Sequence, residues 1–215
     1  MSVLDDSRCP LCGSLNCVDF YQDQQRPYVQ CARCHMVFVP EQYQLSAEAE
    51  KAVYDRHQNS PEDAGYRAFL SRLATPMIER LALGSVGLDF GCGPGPTLSV
   101  MFEEAGHNMA LYDLYYANYP ELLQTDYDFI TGTEVVEHLA QPGMQLQRLW
   151  ELVRPGGYLG LMTKQLIDRD AFAGWHYKND PTHISYFSKS TFLYLGQQWG
   201  SEPTFVGDDV IIFRK

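Results

Sequence analysis

Val86-Gly87-Leu88-Asp89-Phe90-Gly91-Cys92-Gly93-Pro94-Gly95 is an apolar strand running straight into a glycine-rich turn, and Pro96 then opens a helical pattern carrying Leu98, Val100, Met101 and Phe102. Glycines at a strand-to-helix turn let a ligand approach the backbone and the free amides at the helix start. A dinucleotide fingerprint requires G-x-G-x-x-G. Here the third glycine falls one place early, at Gly95, and Pro96 takes its usual position. The turn is therefore of Rossmann type but not of the nicotinamide type.

Downstream, the strand at 108–112 ends in Asp113, twenty residues beyond Gly93, where a carboxylate can accept from both hydroxyls of a ribose. The strand at 127–131 leads into Glu134-Val135-Val136-Glu137-His138-Leu139. Pro142 starts a helix through Leu146, Leu149, Trp150 and Leu152 that stops at Arg154-Pro155-Gly156-Gly157, and 158–163 form the next strand. Ser188 caps a helix over 189–198, and 205–213 read as a closing antiparallel pair. Strand and helix signals in alternation predict an α/β domain, with a parallel sheet covered on both faces.

The runs DFGCGPG, YDFITGTEVVEHL and LVRPGGYLGLMT, with the acidic strand end at Asp113, together resemble the class I S-adenosylmethionine-dependent methyltransferases, within them the group whose fourth strand ends in E-x-x-E-H. The resemblance implies a Rossmann-like sheet and S-adenosylmethionine as cofactor. By it Asp89, Gly91, Gly93 and Gly95 contact the cofactor region, Asp113 holds the ribose and Glu134 forms part of the pocket wall. The chain departs from that pattern between Asp113 and Asp128, where fourteen residues replace the usual helix and third strand, so the sheet is expected to be abbreviated near strand three. Tyr115 and Tyr116 are then either aromatics packed on the adenine or ordinary surface and core residues.

After the fifth strand, residues 170–188 crowd aromatic and titratable side chains into one loop at the sheet end where α/β folds bind ligands. Trp175, Tyr177 and Tyr186 are expected to form an apolar substrate wall, and Asp180 to bind substrate or orient an imidazole. Oxygen and carbon nucleophiles need a proton removed, for which an imidazole near neutral pKa suits. His183 is the first candidate for that base and His138 the second, with catalysis by positioning as the competing reading.

At the other end, Cys9-Pro-Leu-Cys12 and Cys31-Ala-Arg-Cys34 are two C-x2-C knuckles 18 residues apart, a spacing that can set four thiolates tetrahedrally around one structural zinc. The stretch between them reads as a hairpin, hence a zinc ribbon over residues 1–40. Residues 41–83 read as a helical connection and cleft cover, with Ser60-Pro61-Glu62-Asp63 as a helix start, and 84–215 as the methyltransferase domain.

Lys plus Arg is 16 against 27 for Asp plus Glu, a formal charge of −11, and no basic stripe offsets it. A field of that sign repels a phosphate backbone. A small-molecule substrate is therefore the leading reading. RNA or protein methylation with the ribbon as docking module, and an inactive cofactor-binding scaffold, are the alternatives. With no apolar run long enough to span a bilayer and acidic residues at the N-terminus, no membrane partner and a cytoplasmic location are expected.

Overall fold

Among the described residues, 8–56 and 59–215, the computed structural model forms two sheets. Asp5 and Asp6, which contribute to the acidic N-terminus, lie outside those residues. The first sheet begins with antiparallel β1 (Cys17–Gln22), β2 (Pro27–Cys31) and β3 (Val37–Phe38). Helices α1 (Ala47–Tyr54) and α2 (Ala64–Ile78) follow. The second sheet is built from β4 (Val86–Phe90), β5 (Asn108–Tyr112), β6 (Tyr127–Thr133) and β7 (Val153–Met162), with α3 (Thr97–Glu104) after β4 and α4 (Pro142–Leu152) after β6. Then come α5 (Arg169–Ala173), β8 (Ser185–Tyr186), α6 (Lys189–Trp199), β9 (Thr204–Val206) and β10 (Val210–Arg214).

The larger sheet runs β5-β4-β6-β7-β10-β9. Its first four strands are parallel and β10 and β9 antiparallel. From β4 the chain steps to β5 on one side and then crosses to β6 on the other. That reversal opens a crevice at the carboxyl ends of β4 and β6, where open α/β sheets bind ligands. Leu70, Leu73 and Met77 of α2 pack with Leu98 and Phe102 of α3 on one face, while α4 and α6 bury Leu146, Leu149, Phe192 and Leu195 on the other. Gly87 admits the Phe129 ring, to which a Cβ would come within 2.3 Å.

Between β5 and β6 the described chain holds only a 3-10 turn, Pro120–Gln124, so β5 is the edge and the predicted abbreviation is present. Two local expectations differ from the structure. Helix α2 starts at Ala64 and not at Ser60, because the Asp63 carboxylate accepts from the amides of Gly65 and Tyr66. Residues 154–157 lie inside β7, where a register shift against β6 absorbs them. The cysteine-bearing sheet is not closed on itself either: β3 pairs with β8, far along the chain, in the order β1-β2-β3-β8. No described helix is long and apolar enough to cross a membrane.

Candidate active site

A cavity of ≈ 960 Å³ opens at the carboxyl ends of β4, β5 and β6. The glycine turn forms its floor. Gly91 and Gly93 have φ of +76° and +64°, a left-handed backbone that favours glycine. A Cβ on Gly93 would meet nothing within 4 Å, so the backbone there faces open space. The Gly93 amide donates to Asp113 Oδ2 at 3.0 Å, and the amides of Tyr115 and Tyr116 donate to Asp113 Oδ1 at 2.8 and 3.1 Å. One carboxylate thus locks the turn after β4 to the turn after β5.

Two residues expected at the cofactor, Asp89 and Gly95, do not line this cavity. Gly95 is off the cavity wall, and its missing Cβ makes room for the Asn59 carbonyl, which would lie 2.3 Å from it. Asp89 is buried below the turn and accepts from Thr131 Oγ1 at 3.0 Å; burial pushes its carboxyl up to about 7.

Helix α1 supplies a side wall through Ala47, Glu50 and Tyr54. Tyr115 donates to Glu50 Oε2 at 2.7 Å, Tyr54 to Glu50 Oε1 at 2.8 Å and Tyr116 to Asp55 Oδ1 at 2.7 Å. Tyr115 and Tyr116 therefore line the cavity with their hydroxyls tied to this helix.

The opposite wall joins the turn after β6 to the segment before β8. Glu134, His138, Asp180 and His183 all line it. His183 is 7% exposed; its Nδ1 lies 2.7 Å from the Tyr177 carbonyl, its Nε2 3.9 Å from Asp180, and its ring 4.7 Å from that of His138. Burial holds its pKa below the ordinary imidazole value. His138 Nδ1 is 3.2 Å from the Thr182 carbonyl. Behind them the Tyr177 hydroxyl contacts Glu137 Oε1 and, at 3.2 Å, Glu134 Oε2. Burial raises the carboxyls of Glu134 and Glu137 above the usual carboxylate range, and the neighbouring Glu134 charge pushes Glu137 further up.

Trp175, Tyr177 and Tyr186 do not reach the cavity. They pack with Phe20, Tyr28 and Phe172 in a hydrophobic cluster between β1, β2 and α5, because the pairing of β8 with β3 brings this distant segment against the N-terminal sheet. The Tyr and Phe residues that line the cavity are Tyr54, Tyr66, Phe69, Phe90, Tyr112, Tyr115 and Tyr116. The residue missed by sequence reasoning is Arg26, only 5% exposed at the β1–β2 turn. Its guanidinium donates to the carbonyls of Lys178, Asp180 and Pro181 at 3.0, 2.9 and 2.9 Å and to the hydroxyls of Tyr28 and Tyr186. The N-terminal sheet thereby holds the segment that carries Asp180 and His183. No local pattern distinguishes this arginine from a surface charge.

The family profile described as a methyltransferase domain matches residues 55–203. The chain belongs to that methyltransferase family. No curated protein sequence matches it. The 1,6-didemethyltoxoflavin-N1-methyltransferase of Burkholderia thailandensis, solved with bound 1,6-didemethyltoxoflavin and S-adenosylhomocysteine, is 16% identical with a TM-score of 0.53 over 92% of this chain and 98% of that one. A putative sarcosine dimethylglycine methyltransferase from Galdieria sulphuraria is 16% identical with a TM-score of 0.50, over 71% and 67%. Those likenesses show the class I methyltransferase fold.

The methyltransferase's residues fit S-adenosylmethionine. Gly93 leaves a cradle that any side chain would fill, and Asp113 puts a carboxylate at the end of β5 on the same wall. Beside the start of α4, where the Gly143 amide donates to the Pro10 carbonyl, Cys9, Cys12, Cys31 and Cys34 bring their sulfurs within 4.8 Å of one another, with the Cys9–Cys34 and Cys12–Cys31 pairs each at 3.5 Å. Thiolates on a tetrahedral zinc stand roughly 3.8 Å apart, so this donor set can hold that metal. Burial pushes the Cys12 thiol up, while the hydrogen bond with Cys34 draws the Cys9 thiol down.

Proposed function

We propose that this methyltransferase moves the methyl group of S-adenosylmethionine to an oxygen, nitrogen or carbon nucleophile of a small molecule, with residues 84–215 as the transfer domain, 41–83 as the cover and 1–40 as a zinc ribbon. The observation that carries the reading is the cavity itself, ≈ 960 Å³ between the Gly91–Pro94 turn and the His138–His183 wall. Pockets for small ligands run from about 300 to 1,000 Å³, so this one suits a cofactor with one compact substrate. Gly91, Gly93 and Asp113 would hold the cofactor, and Glu134 would border it. The bound cofactor supplies an already activated methyl group, so the chain's task is to align the nucleophile and exclude water. Asp180 and the two imidazoles are the polar groups on the substrate side, and taking a proton at Nε2 of His183, or of His138, is one use for them. The Burkholderia thailandensis structure, with S-adenosylhomocysteine bound in a like fold, supports the choice of cofactor. Transfer to RNA is less supported, given the charge of −11 and the lack of a basic stripe.

Calorimetry with S-adenosylmethionine and with NAD tests this. Binding of the first and not the second is expected, and Asp113→Ala should weaken it by about 1.5–3 kcal/mol, roughly 10- to 150-fold, through loss of a charged acceptor. Selective NAD binding would overturn the reading.

A further inference from the structure

Among the described residues, four buried polar side-chain atoms lack a hydrogen-bond partner, and three of them, Thr133 Oγ1, Glu134 Oε1 and Glu137 Oε2, gather at the end of β6 and the turn after it; the fourth is His107 Nδ1. Glu137 is wholly buried, and neither the Tyr177 hydroxyl nor any other described group satisfies that second oxygen. A buried carboxylate oxygen in that position calls for a cation or a proton donor. Glu137 also belongs to a group of side chains that fits a cation. One carboxylate oxygen of Glu137 and one ring nitrogen each of His138 and His183 lie within 4.8 Å of one another.

The hydrogen bonds behind the two rings point the same way. Nδ1 of His183 faces the Tyr177 carbonyl at 2.7 Å and Nδ1 of His138 the Thr182 carbonyl at 3.2 Å. A carbonyl can only accept, so each neutral ring carries its proton on Nδ1 and its lone pair on Nε2. Metal-binding histidines are oriented by that type of second contact. Glu134 shares the Tyr177 hydroxyl with Glu137 and adds a second carboxylate beside the group of three.

We propose that Glu137, His138 and His183 bind a divalent first-row cation on the cavity wall, a second metal site separate from the four cysteines. The inference rests on the methyl-transfer reading and narrows it to a hydroxyl-bearing substrate. Two imidazoles and one carboxylate leave coordination positions open toward the cavity, and a hydroxyl oxygen placed there becomes more acidic. Its proton leaves to solvent, its electron pair forms the bond to the methyl carbon, and the carbon–sulfur bond breaks with its pair on sulfur. The imidazole lone pairs are then used on the cation and not as the base.

Oxygen and nitrogen donors accept Mn²⁺, whereas four thiolates select zinc, so the two sites can be read separately. The experiment titrates the zinc-loaded full chain with MnCl2, following free Mn²⁺ by its electron paramagnetic resonance signal. Calorimetry with S-adenosylmethionine runs on the same preparations. One Mn²⁺ per chain is expected, with Glu137→Gln and His183→Ala each weakening it at least tenfold while cofactor binding persists. Broadening of the His138 and His183 ring resonances by Mn²⁺ locates the site in the unmodified chain, even if a variant fails to fold. Cofactor binding with no Mn²⁺ uptake, or uptake that neither variant weakens and that leaves both ring resonances sharp, overturns the cation site and leaves the methyltransferase reading intact. Mn²⁺ uptake without cofactor binding supports the site and removes that reading.

Discussion

The two walls of the cavity are made in different ways. The glycine-turn wall is local: the turn after β4 and the turn after β5 are joined by Asp113, twenty residues from Gly93. The histidine wall is assembled from three distant stretches, with Arg26 reaching the Pro181 carbonyl 155 residues away and Ile184 donating its amide to the Glu137 carbonyl. Contacts close in sequence survive loosening of remote parts, whereas contacts across the chain depend on every element that braces them. The N-terminal sheet is such a brace. A cysteine-bearing sheet that looks like an appendage is in this molecule the back support of the site's polar wall.

Removing the metal should break the comparison most visibly. Zinc on four thiolates contributes on the order of 10 kcal/mol to the folding of small metal-binding units. With zinc proposed at Cys9, Cys12, Cys31 and Cys34, Cys31→Ser or chelation should melt the N-terminal sheet. S-adenosylmethionine affinity should change only a few-fold, while methyl transfer falls by about 100-fold or more. Metal analysis, calorimetry and turnover on one preparation check this. Full turnover in a zinc-free chain would mean that the 176–184 segment supports itself.

Arg26→Ala sharpens the same contrast without touching the metal. It strips the donor from three carbonyls and two hydroxyls in a region with little water, a loss of about 2–4 kcal/mol in stability. Thermal melts should show that loss, and amide exchange should rise in residues 176–184 and stay unchanged at Gly91–Pro94. Equal loosening of both walls would show that they are one cooperative unit.

That contrast also explains what could be read from the chain beforehand. The strand–glycine–helix run at 86–104, the capped helix after Ser188 and the closing antiparallel pair each carry local signals, and the structure has them. The cysteine knuckles were legible because metal spacing is itself a local pattern. Asp113, Glu134, His138, Asp180 and His183 reach one cavity, as their motifs suggest. The aromatic loop was misread because composition does not say which way a ring points. Trp175, Tyr177 and Tyr186 pack with Phe20 and Tyr28 from across the chain and not against a ligand cavity. Gly95 had an equally non-local reason, since Asn59, brought back by the cover segment, needs the space.

The smallest expected effect concerns α1, a helix that braces the glycine-turn wall from outside it. Tyr115 and Tyr116 both reach this helix, but their partners are held differently. Asp55 also pairs with Lys51 at 2.7 Å on an exposed surface, so removing the Tyr116 hydroxyl leaves it satisfied. Glu50 Oε2 depends on Tyr115, in a partly buried contact at 2.7 Å beside the cavity. Tyr115→Phe should therefore loosen α1 by about 0.5–1.5 kcal/mol, toward the lower end because solvent can replace part of the bond. Amide exchange in residues 47–54 should quicken, and S-adenosylmethionine should bind up to about tenfold more weakly, with stability of the sheet unchanged. Tyr116→Phe should do less of both. If the two variants behave alike, the pairing of Tyr115 with Glu50 is incidental. If Tyr115→Phe alters turnover at saturating cofactor but not cofactor affinity, α1 belongs functionally to the histidine wall and not to the glycine turn.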